Sequence, residues 1–136
     1  MYLVDTNVIS ESRKGKKANQ GVQAFWASVD PDSLYFSVQT IGELRCGIER
    51  LANRGDEMQA RNLERWLNLV ISEYGDRILA FDEDCAQVWG KLMAVQYQNA
   101  IDKQIAAIGL IHGLTIVTRN VKDFESTGVQ TLNPFL

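Results

Sequence analysis

Short apolar runs alternate along this chain with longer stretches of helical spacing. Tyr2-Leu3-Val4 is apolar and ends at polar Asp5-Thr6-Asn7, the pattern of a short buried strand. Val22, Phe25, Trp26 and Val29 recur at helical spacing, and Asp30-Pro31-Asp32 breaks the chain after them. Leu34-Tyr35-Phe36-Ser37 reads as a second strand. Ile41, Leu44, Ile48 and Leu51 form a helical stripe. After a break at Gly55-Asp56, Leu63, Trp66, Leu67 and Val70 continue one between Met58 and Ser72. Two adjacent helices predict an αα-hairpin. Ile78-Leu79-Ala80-Phe81 reads as a third strand, and Asp82 as the cap of a helix that buries Val88, Trp89, Leu92 and Val95. A helix from about Ile101 to His112 stops at Gly113. Thr115-Ile116-Val117-Thr118 is a fourth strand, and Val129 to Leu132 a short last one.

This alternation predicts an α/β fold built from βα units, with a mainly parallel central sheet of four to five strands flanked by helices. No repeat appears, and neither Pro31 nor Pro134 marks a linker, so residues 1–136 are expected to form one domain. Hydrophobic residues make up 46% of the chain, enough for a core. The net charge of −3 argues against a broadly basic nucleic-acid coat protein. It leaves a nuclease open, because an acidic metal site cancels basic residues in the sum. Cys46 and Cys85 lack CxxC spacing, which speaks against zinc or a disulfide framework and for a reducing compartment. No signal peptide is visible, and the apolar stretch Ile105 to Ile111 is too short to span a bilayer. The expectation is a soluble cytoplasmic protein without a membrane partner.

The acids change the picture. Asp5 sits just past the carboxyl end of strand one, the edge at which open α/β sheets bind ligands. Glu43 follows strand two, Asp123 follows strand four, and Asp102 heads the preceding helix. Each also has a structural explanation. Asp5 can cap a helix, Thr40-Ile41-Gly42-Glu43 matches a capping box, Asp102 suits a helix N-terminus, and Asn120 can cap a short helix holding Asp123. Asp82, Glu83 and Asp84 suit capping and solvated surface. Several carboxylates at one sheet edge repel one another unless a hard divalent cation neutralises them. Without a Cys/His ligand set, Mg²⁺ is the natural ion and Mn²⁺ a substitute, pointing to phosphoryl-transfer chemistry without a protein nucleophile. His112, alone in a helix's last turn, supports no hydrolase triad.

The segments Asp5-Thr6-Asn7-Val8-Ile9-Ser10-Glu11 and Thr40-Ile41-Gly42-Glu43-Leu44-Arg45-Cys46-Gly47-Ile48 resemble the first two motifs of the VapC toxins. These are PIN-domain ribonucleases, and the likeness is to their FitB-like branch. Asp102-Lys103-Gln104-Ile105-Ala106-Ala107 and His112 through Phe124 resemble the third and fourth motifs, and Leu132-Asn133-Pro134-Phe135 the usual ending. Lys103 and Gln104 stand where the family run has Ala-Leu. The resemblance implies a PIN-like three-layer sandwich and an endoribonuclease that hydrolyses RNA phosphodiesters through metal-activated water. It places the Mg²⁺ ligands on Asp5, Glu43 and Asp102. The fourth position falls on Asn120 or Asp123. Thr6 would steady Asp5 or a metal-bound water, and Thr118 and Asn120 would support the site from strand four.

Arg13, Arg45 and Arg119, with Lys14, Lys16, Lys17 and Lys122, could grip RNA phosphates around such a site. The resemblance also implies a VapB-type antitoxin, whose C-terminal segment would lie along apolar stripes of the first four helices, and a homodimer that assembles further with it. Two other functions remain open at this point. One is a Mg²⁺-dependent phosphatase, although Asn7 denies it the second carboxylate of Asp-x-Asp. The other is a catalytically weak binding module on the same fold.

Overall fold

A computed structural model describes residues 1–136. The elements run β1 (Tyr2–Val4), α1 (Thr6–Ser12), α2 (Gln20–Ser28), β2 (Leu34–Ser37), α3 (Val38–Asn53), α4 (Glu57–Tyr74), β3 (Ile78–Leu79), α5 (Glu83–Val95), α6 (Ala100–His112), β4 (Thr115–Val117) and β5 (Thr131–Leu132). Short 3-10 segments fill Gly15–Lys17, Pro31–Ser33, Gly75–Arg77 and Val121–Thr127.

The strands form one five-stranded sheet in the order β3-β2-β1-β4-β5, and every pairing is parallel. A parallel sheet needs both faces covered, because its crossovers lay helices on each side. Side chains alternate accordingly. Val4, Leu34, Phe36 and Val117 join the core beneath α1 to α4. Leu3 and Ile116 join the core beneath α5, α6 and Phe124. The result is the expected three-layer sandwich, with α3 and α4 packed as the expected hairpin.

Three strands are shorter than their apolar runs. Ser37 pairs with Leu79, and α3 begins at the next residue of β2, so Ala80 and Phe81 have no ladder partner. Phe81 still packs on the core, outside the sheet. Thr118 likewise lies beyond β4, since β1 ends where Asp5 opens α1. β5 covers Thr131 and Leu132 only. Val95, expected to be buried, is 77% exposed, because α5 ends there and the chain turns extended at Gln96.

The chain leaves β1 toward β2 and β3, then returns on its other side with β4 and β5. That reversal opens a crevice at the carboxyl ends of β1 and β4, where open α/β sheets place their chemistry.

Candidate active site

Asp5 lies in that crevice and is 4% exposed. It is both helix cap and buried site acid. Its Oδ1 accepts from Thr6 N at 2.8 Å, and its Oδ2 accepts from Thr118 Oγ1 at 2.8 Å and Asn7 Nδ2 at 3.3 Å. Burial pushes the Asp5 carboxyl above its ordinary range, the three hydrogen bonds oppose that, and the charge of Asp123 adds to it.

Glu43 reaches the same region from α3. The capping box expected at Thr40 does not form. Ser37 caps α3 instead, its Oγ accepting from Thr40 N at 3.2 Å, because the helix starts directly from the end of β2. Glu43 therefore sits past the first turn, free to lean toward α1. There Thr6 Oγ1 donates to Glu43 Oε1 at 2.6 Å, and Thr40 Oγ1 lies 3.1 Å from the same hydroxyl. Thr6 thus joins Asp5, through its backbone N–H, to Glu43, through its side chain.

Asp102 is the third residue of α6. Its carboxyl is pushed up to about 6, first by burial, then by the negative charges of Asp5, Asp123 and Glu43, with Lys103 opposing. The negative charges of Asp5, Asp123 and Glu43 thus bear on Asp102 from the same end of the sheet.

From the β4 side, Thr118 is fully buried, and its hydroxyl accepts from Asn120 N at 3.0 Å while donating to Asp5. Asn120 precedes the 3-10 segment with Asp123 but supports it through its carbonyl, which accepts from Asp123 N at 3.0 Å. Its side chain makes no capping bond. Asn7 has a larger part than its place in the sequence suggests. Its Nδ2 donates to Asp5 Oδ2, and its Oδ1 accepts from Arg119 N at 3.0 Å, which ties the ends of β1 and β4 together. The polar triplet after β1 is the one signal of this in the sequence.

The arginines divide. Arg13 borders a groove of about 240 Å³ that Thr6, Glu43, Leu44, Leu63 and Trp66 also line, and its guanidinium stands 6.0 Å from the Trp66 ring. Arg119 reaches the site through its backbone N–H, which donates to Asn7, while its guanidinium stands 4.8 Å over Phe135. Arg45 does not face the site. It bonds Glu64 Oε2 of α4 at 2.7 Å and Glu49 Oε2 at 3.3 Å. Two positions along a helix turn a side chain by about 200°, so Arg45 points away from the direction Glu43 takes. Lys14 pairs with Glu11, and Lys16 and Lys17 are exposed.

The donors are all oxygens, a set that suits a hard divalent cation. No three of the carboxylates stand close enough to chelate a bare ion. Mg²⁺ retains several of its waters and needs only one or two direct carboxylates, so a partly hydrated ion is the form this donor set suits.

The PIN domain profile matches residues 2–129. The chain is 33% identical to "Toxin FitB" of Neisseria gonorrhoeae, over 99% of both chains. It is 31% identical to "VapC ribonuclease Y4jK" of Sinorhizobium fredii, over 99% of this chain and 98% of that one. Among solved structures it resembles FitAcB from Neisseria gonorrhoeae, with a TM-score of 0.86, 32% identity and 98% of each chain covered. A wholly parallel sheet, Asp5 and Glu43 linked through Thr6 at its switch point and likeness over the full length agree: the chain belongs to the PIN-domain family.

Proposed function

We propose that the protein is a divalent-metal-dependent endoribonuclease, the toxin of a toxin–antitoxin pair, acting as a single PIN domain in the cytoplasm. The observation that carries the reading is the hydrogen-bonded chain at the ends of β1 and β4, in which Thr118 and Asn7 hold the Asp5 carboxylate and Thr6 links it to Glu43. The relatives named a VapC ribonuclease and a toxin support the RNA substrate and the biological role. No helix is long and apolar enough to cross a membrane.

Asp5, Glu43 and Asp102 would hold Mg²⁺ or Mn²⁺, with Asp123 as the fourth acid in place of the neutral Asn120. When bound, such an ion lowers the pKa of water and screens the charge that develops on a phosphodiester. The chain's own residues do the rest. Thr118 and Asn7 orient the Asp5 carboxylate, and Thr6 orients Glu43. Arg13, which lines the groove beside Glu43, would take RNA phosphates, with Arg119 as a second candidate, an attraction that salt weakens. Arg45 serves α3–α4 packing. An antitoxin of the VapB type would lay an apolar segment in the groove lined by Leu44, Leu63 and Trp66, which opens beside Glu43. A homodimer that assembles further with that antitoxin follows from the family resemblance.

Incubating the purified protein with single-stranded RNA and Mn²⁺, with and without EDTA, tests the reading. Cleavage that EDTA abolishes, and that Asp5→Asn lacks, is expected. RNA left intact with Mg²⁺ and with Mn²⁺ would leave a binding module.

A further inference from the structure

Lys103 takes no part in the function above, yet it is 0% exposed. A lysine is rarely buried so fully without a charged partner. No carboxylate pairs with this one. Its Nζ donates to the Gln98 carbonyl and, at 3.3 Å, to Gln96 Oε1. Gln96 Oε1 also accepts from Ser126 Oγ at 3.1 Å, in the 3-10 segment that holds Asp123. One ammonium therefore ties the turn between α5 and α6 back onto α6, and Gln96 ties that turn to the far side of the site.

The start of α6 needs such support. Its N-cap residue, Asn99, is in the left-handed region at φ 54°, ψ 54°, and its side chain makes no capping bond. Asn is among the few Cβ-bearing residues that tolerate left-handed backbone, but an uncapped helix start leaves N–H groups without side-chain acceptors. Asp102 comes only three residues later. What holds the first turn is Lys103 on one side and Trp89 Nε1, donating to Ala100 O at 3.0 Å, on the other.

We propose that Lys103 is a positioning residue for Asp102. Its ammonium locks the α5–α6 turn and so sets where Asp102 enters the group of acids. The proposal rests on the assignment of Asp102 as a metal ligand.

The test uses the full chain with Lys103→Met, which keeps length but removes the amine, and Gln96→Leu, which keeps the cation but cuts its side-chain partner. Hydrogen exchange of the metal-free proteins and Mn²⁺ titration calorimetry are the two measurements. In Lys103→Met, exchange at the amides of residues 97–102 should quicken at least about tenfold, and Mn²⁺ affinity should fall by about 10- to 100-fold, the usual effect of removing a group that orients a metal ligand. Gln96→Leu should shift both in the same direction by less. In cleavage assays kcat should fall while the KM for RNA holds, because an acid is misplaced while the grip on RNA is intact. Wild-type exchange in Lys103→Met would overturn the proposal. So would tighter Mn²⁺ binding there with Gln96→Leu unaffected, since the lysine would then act only as a charge. If Lys103→Met does not fold, Gln96→Leu decides alone by the same measurements. Wild-type protein that takes up no Mn²⁺ would instead sink the metal assignment, whatever the exchange data show about the turn.

Discussion

The two helices that deliver the outer carboxylates are built on opposite plans. α6 is sunk into the sheet, with Ile105, Ala106, Ala107 and Ile108 at most 1% exposed. A Cβ placed on Gly109 would come within 2.8 Å of Ile116 Cδ1. α3 buries only the stripe of Thr40, Leu44 and Ile48, and a Cβ added at its Gly42 or Gly47 would meet nothing within 4 Å. Grooves open along both of its flanks. Asp102 therefore comes from a helix fitted to the sheet, whereas Glu43 comes from one whose aim depends on a single hydroxyl, that of Thr6. One wall of the site is rigid, and the other has room to adjust to what binds beside it.

Asp5→Asn and Asp102→Asn should produce the largest effects, cutting RNA cleavage on the order of 10³-fold or more while cooperative unfolding persists. Growth arrest or cleavage surviving in both, at equal expression, would remove the acids from the chemistry. The contrast between the helices is tested next. Gly109→Ala should destabilise by about 1–3 kcal/mol in denaturant melts, since α6 must lift from the sheet or Ile116 must shift. Thr6→Val should lower cleavage about tenfold, the equivalent of one charge-assisted hydrogen bond, without changing the hold on Asp102. Gly47→Ala should stabilise by about 0.5–1 kcal/mol, because it adds helix propensity in open space. If the two glycine variants moved stability alike, the rigid and adjustable walls would not differ.

The smallest effect concerns pH. The Asp102 carboxyl is raised from its ordinary value of 3.8 to about 6 in the fold. Its ionised form is thus disfavoured in the native state, and the metal-free protein should lose stability as pH rises from about 4 through 6. Asp102→Asn should accordingly raise the metal-free Tm at pH 7 by roughly 2–4 °C, and cation affinity of the wild type should climb across pH 6 as the proton leaves. A lower Tm in Asp102→Asn would contradict the crowding of charge at this position.

Much of the fold is legible in the sequence because each buried strand is a short apolar run and each helix keeps its stripe. Strand ends are less so, since Ala80 and Phe81 lose their ladder, and Thr118 its β1 partner, to what a neighbouring strand does, which no local pattern records. Asp5, Glu43 and Asp123 stand out by where they fall after predicted strands, and Asp102 by its place at the head of a helix. The direction of Arg45 does not, because its partner Glu64 lies in the next helix and only packing brings them together. The bridge made by Asn7 is likewise hidden, as Arg119 and Thr118 are 112 and 111 positions away.

The hydrogen bond from Thr118 to Asp5 spans 113 residues of chain. β1 is the middle strand of the sheet, and its β4 neighbour follows it in the chain only after β2, β3 and the helices between them. Long-range parallel pairing of this kind cannot form until both partners have left the ribosome. A growing polypeptide of this sequence therefore cannot join Asp5 to Thr118 until β4 emerges, so the candidate site is completed only after every other strand but β5 has been made.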